Sequence, residues 1–124
     1  MTRFISSAIL LAAAFAVDPI MMTGTWNIDG NVQGYPITEV CQLTQAADAT
    51  ITGICNDTKL DRTVTGKVTD KGITFSHPSE YQGDALTLTY AGTFDEKGTL
   101  NGTIDVQPLD YQGTFTATKA TPKP

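Results

Sequence analysis

Three ionisable side chains stand where strand alternation calls for apolar ones: Glu39 between Ile37 and Cys41, Arg62 between Leu60 and Val64, and His77 two residues beyond Phe75. A charge in an inward phase is costly unless it is paired or meets a ligand. Two chemistries follow. Either the three form a cluster that orients a polar group of a ligand, with Tyr35, Tyr81, Tyr90 and Tyr111 supplying apolar surface, or Glu39 neutralises Arg62 in a salt-bridged rim. A bulge that turns Arg62 outward would have the same result as the rim. His77 is the one histidine, able to act as acid or base near neutral pH. No Ser/His/Asp arrangement surrounds it, and His77-Pro78 reads equally well as the end of a strand. A non-catalytic protein is the expectation.

Cys41 and Cys55 are the only cysteines. Zinc would need further ligands, and one histidine without a CxxC spacing offers no tetrahedral set, so no metal or other cofactor is expected. A disulfide is the better use of the pair. It also tests a hairpin: if Gln45 faces Ile51 across the turn Ala46–Ala49, Leu43 faces Gly53 and Cys41 faces Cys55. Opposed cysteines at a narrow antiparallel site are close enough to bond.

The elements that must carry these groups are short Thr/Gly-rich strands. Alternation and turn signals place them at about 24–28, 37–45, 50–56, 60–68, 73–77, 86–94, 99–106 and 111–119. Asp29-Gly30-Asn31 reads as a turn, and no stretch has helical periodicity. Tight turns joining so many antiparallel strands predict an all-β, up-and-down eight-stranded barrel, because closure removes exposed edges. Strand direction then sorts the connections by end. Segments 29–36 and 78–85 read as the two longest loops and fall at the same end, which marks it as a mouth. Glu39, Arg62, His77, Tyr90 and Tyr111 lie near it, with Tyr35 and Tyr81 on its loops. Trp26 and Lys119 converge at the other, closed end.

Composition narrows the partners. Across 124 residues, 8 Lys+Arg face 13 Asp+Glu, a formal net charge of -5. The basic residues Lys59, Arg62, Lys67, Lys71, Lys97 and Lys119 are scattered, which argues against nucleic acid. Residues 1–16 read as a secretory signal peptide, with Arg3 ahead of an apolar run and Ala14-Phe15-Ala16 as the cleavage pattern. The expected destination is periplasmic or extracellular, where two cysteines can pair. Residues 17–22 read as an apolar plug before the first strand, 23–119 as the barrel domain and 120–124 as a flexible tail. No membrane span is expected in the mature chain.

Thr23-Gly24-Thr25-Trp26 on the first strand and Lys119 on the last resemble a calycin-type barrel, the group of lipocalins, avidins and fatty-acid-binding proteins. That resemblance implies that Lys119 covers Trp26 at the closed end and that the open end binds a small hydrophobic or amphipathic molecule. The opening is also similar to that of avidin-type proteins, but their pattern has Asn and Ser two and six residues after the Trp, where this chain has Ile28 and Val32. Biotin is therefore not expected. Small size, an early G-x-W and a disulfide are also similar to bacterial periplasmic inhibitors of secreted metalloproteases. That second likeness implies an inhibitor or interaction module acting on a secreted hydrolase through residues 17–22.

Overall fold

The structure, a computed structural model, describes residues 22–57 and 60–120. The expected signal peptide, residues 17–21 of the plug and residues 121–124 of the tail lie outside the described residues. Eight strands follow in order: β1 (Gly24–Val32), β2 (Tyr35–Gln45), β3 (Thr50–Asn56), β4 (Asp61–Thr69), β5 (Gly72–Tyr81), β6 (Asp84–Phe94), β7 (Leu100–Gln107) and β8 (Tyr111–Lys119). Each pairs antiparallel with the next, and β8 returns to β1 to close an up-and-down barrel. Alternation of side chains does the sorting. In β6, Leu86, Leu88 and Tyr90 are buried while Thr87 and Ala91 face out.

The β2–β3 hairpin has the register expected from its cysteines: Gln45 opposes Ile51, Leu43 opposes Gly53, and Cys41 opposes Cys55. Those two residues form the disulfide. Four residues turn the chain between the strands, with the Ala46 N–H donating to the Thr50 carbonyl at 2.8 Å and Ala49 at a positive φ of 72°.

At the mouth the expected long loops are absent. β1 runs on through Asp29-Gly30-Asn31 to Val32, and β5 runs on through Pro78 to Tyr81. The two hairpins there turn in two residues each, Gln33-Gly34 and Gln82-Gly83. Their φ values, 54° and 84° in the first and 52° and 87° in the second, are those of the mirror-image turn that matches strand twist. Gln-Gly does here what Asn-Gly usually does, and the Asn31 carboxamide oxygen accepts the Gly34 N–H at 2.9 Å. Leu60, expected to face inward at the start of the fourth strand, lies before β4 and is 53% exposed.

Proline explains the opening that remains. The β4–β5 ladder runs only from Thr69–Gly72 to Thr65–Ser76, and β5 continues upward paired with β6 alone. Pro78 has no N–H to offer a strand on its far side, so a proline on such a one-sided stretch is tolerated where a central one is not. Pro36 is placed likewise on β2, above the last β3 pair at Val40–Asn56. The barrel wall is thus incomplete near the mouth, between the upper parts of β2 and β5.

Aromatic side chains divide the interior. Phe75 stacks on Tyr90 with centroids 4.9 Å apart, and Phe115 meets Tyr90 edge-on at 5.1 Å. Below this layer Trp26 packs against Phe94 at 5.9 Å. Its indole N–H donates to the Met22 carbonyl at 2.9 Å, and the Met22 N–H donates to Gln45 Oε1 at 3.1 Å. The one described residue of the expected plug is therefore buried at the closed end. Lys119 pairs with Trp26 across β8 and β1 and holds its Nζ 5.7 Å from the indole centroid.

Candidate functional site

β2 delivers Glu39, β5 delivers His77 and β6 delivers Tyr90 to one point beneath the mouth. All three are buried, Glu39 at 4% exposure. Glu39 Oε1 accepts the Tyr90 hydroxyl at 2.9 Å and lies 3.0 Å from His77 Nε2. The other ring nitrogen, Nδ1, donates to the Pro78 carbonyl at 2.7 Å. A carbonyl can only accept, so Nδ1 carries a proton, and Nε2 donates to the Glu39 oxygen it faces when it carries one too. His77 is then an imidazolium.

Electrostatics agrees with that assignment. Burial by itself would lower the His77 pKa, but the hydrogen bond and charge of Glu39, with the Pro78 carbonyl, outweigh it and raise the value above the ordinary 6.5. Burial first, and the adjacent Glu39 charge second, push the Tyr90 hydroxyl far above the phenol range. Tyr90 stays protonated and donates.

Arg62 does not join this group. Of the alternatives for Arg62, the pair with Glu39 does not form: Arg62 Nε donates to Asp57 Oδ2 at 2.9 Å, an ion pair local to the β3–β4 connection. Arg62 is neither bonded to Glu39 nor turned fully outward. Asp57 is the residue that sequence reading missed, because it lies in a connection where alternation assigns no face.

Above Glu39 the barrel opens into a cavity of about 480 Å³. Leu86, Leu88 and Val106 form apolar wall, Glu39 contributes to the floor, and Asp57, Arg62 and Glu80 line one side. Tyr35, Tyr81 and Tyr111 stand around the rim. Tyr35 and Tyr81, expected on loops, sit instead on the ends of β2 and β5, where their rings meet edge-on at 5.5 Å across the incomplete wall. Tyr111, expected to face inward, is 46% exposed at the start of β8. The cavity thus gathers Glu39, Arg62, Tyr35, Tyr81 and Tyr111. His77 and Tyr90 stay out of its lining and support Glu39 from below.

As for metal binding, the ligand atoms of Glu39, Cys55 and His77 lie within 4.8 Å of one another. The Cys55 sulfur is committed to the disulfide, so this grouping, the one found among the described residues, offers two donors and not a tetrahedral set. Among the described residues no helix is long and apolar enough to cross a membrane. What the arrangement offers chemically is a half-open cup with an aliphatic wall, charged residues on one side and a buried carboxylate at its base. Comparison with family models, with curated proteins and with solved structures finds no match, so the likeness to calycin-type barrels stands on the closed eight-stranded antiparallel architecture alone.

Proposed function

We propose that this chain is an exported, non-catalytic binding protein that takes a small hydrophobic or amphipathic molecule into the mouth of the barrel. The observation that carries this reading is the cavity of about 480 Å³, within the roughly 300–1,000 Å³ usual for small-ligand sites. Its composition supports an amphipathic ligand: an aliphatic wall and tyrosines at the rim face charged residues on one side. The aromatic layer of Phe75, Tyr90 and Phe115 fills the interior below the residues that line the cavity. Export is supported by the leader-like residues 1–16 and is compatible with the Cys41–Cys55 disulfide, a bond that persists in oxidising compartments. Native mass spectrometry of protein purified from its own host, followed by a screen of small amphiphiles, tests the proposal. A retained mass, or a screened compound that saturates at one per barrel, is expected; an interior that takes up nothing would sink it.

A second reading, an interaction module for a secreted hydrolase, draws on the exposure of Tyr35, Tyr81, Tyr111 and Leu109 around the same rim. Deleting residues 17–21, which keeps the buried Met22 and its bonds to Trp26 and Gln45, separates the two. A small-molecule binder keeps its ligand after the deletion, whereas an inhibitor acting through that segment loses its inhibition.

A further inference from the structure

Glu39 is the least easily explained group in the cavity. Both of its protein hydrogen bonds, from Tyr90 and from His77, end on Oε1. Its second oxygen, Oε2, has no hydrogen-bond partner among the described residues, although the side chain is 3% exposed and borders the cavity. Buried carboxylate oxygens are almost always satisfied, so a donor is due at this one. The cavity is where it can come from.

Charge around the mouth selects the kind of donor. Asp57 and Glu80 line the cavity with Glu39, and Asp84 and Asp110 stand at the adjacent strand ends. Arg62 is the one described cation in the cavity lining, with its Nε held by Asp57, and the imidazolium of His77 beneath the lining is already paired with Glu39 Oε1. The described lysines lie toward the other end: Lys67 and Lys71 on lower β4 and the β4–β5 turn, Lys97 on the β6–β7 turn, and Lys119 at the end of β8. An anionic head would therefore enter a field of carboxylates to reach an arginine already engaged. A cation gains from the same field and, on its way in, passes tyrosine rings that attract it.

Resting on the binding function proposed above, we infer that the ligand is a nitrogen cation with an apolar tail, a protonated amine or amidine that donates to Glu39 Oε2. The tyrosine rim and the Leu86, Leu88 and Val106 wall take the tail, and the imidazolium of His77 keeps Glu39 in place from below. The head's N–H gives Oε2 the donor that the protein's described residues do not supply.

Three probes of equal chain length separate this inference from the function beneath it. Isothermal titration of the folded, disulfide-bonded chain near neutral pH with decylammonium, decanol and decanoate should give decylammonium an advantage of about tenfold over decanol, with decanoate weakest. The advantage should shrink in high salt. Glu39→Gln should bring the ratio of amine to decanol affinity down to about one, whatever the change in absolute affinity. Because Glu39→Gln also disturbs His77, Glu80→Gln at an exposed position serves as a second variant, with the amine's advantage over decanol expected to fall about threefold. Equal binding of all three probes, or tighter binding of decanoate, overturns the cation inference and leaves an amphiphile-binding barrel. If no probe binds, the inference falls together with the proposed function.

Discussion

Glu39 shows how much one inward charge constrains its surroundings. A carboxylate buried to this degree needs donors, and the barrel supplies them from β5 and β6, two strands that do not neighbour β2. Strand phase identified Glu39 and His77 as inward, since alternation is local and readable. Their mutual contact, and the diversion of Arg62 to Asp57, were not readable. Those depend on how strands far apart in the sheet face each other across the interior, and on the path of a connection. The raised His77 pKa gives a pH dependence with a definite sign. Protonated His77 stabilises the folded chain fully below its unfolded value of about 6.5, and that contribution is lost as pH rises through the higher folded value. Urea midpoints should therefore fall as pH rises above about 6.5. In His77→Gln the part of that fall due to this group should vanish, and an unchanged slope would refute the imidazolium assignment.

At the scale of elements, the eight strands and the β2–β3 register were legible because alternation and the two cysteines point to one solution. The mouth was misread for two physical reasons. Asp29-Gly30-Asn31 has turn composition, yet it stays extended because both neighbours hold it: Gly30 pairs with Ile37 on one side and with Phe115 on the other. Pro78 looks like a terminator, yet β5 needs only the β6 ladder at that height. The actual turns rest on Gly34 and Gly83. Gly34 has a φ of 84° with open space around the position of a side chain, so Gly34→Ala is a test of backbone conformation alone. It should cost about 1 kcal/mol in thermal or urea denaturation, with little change in the denaturant slope. Gly102 is different in kind. A Cβ there would collide with the Ala91 carbonyl oxygen, so Gly102→Ala should damage the β6–β7 wall and cost more than Gly34→Ala in the same assay.

The whole molecule is a tube with two unlike ends. Its closed end holds Met22, Trp26, Phe94 and Lys119 in contact, while the mouth holds the cavity, and the Phe75–Tyr90–Phe115 layer lies between. That separation makes stability and binding independent to first order. Trp26→Ala should remove about 3–5 kcal/mol of stability by leaving a large void, with amphiphile affinity little changed under conditions where the variant is folded. Loss of binding with an unchanged Tm would place the site at the wrong end of the barrel. The most direct measurement of the central claim is an amide-resolved NMR titration of the full chain with decanol. The account predicts shifts concentrated at Tyr35, Ser79, Tyr81, Leu88 and Val106, saturating at one molecule per barrel, with Thr25, Gln45 and Gly98 unmoved. Shifts centred on Trp26 and Gln45, or none that saturate, would contradict it.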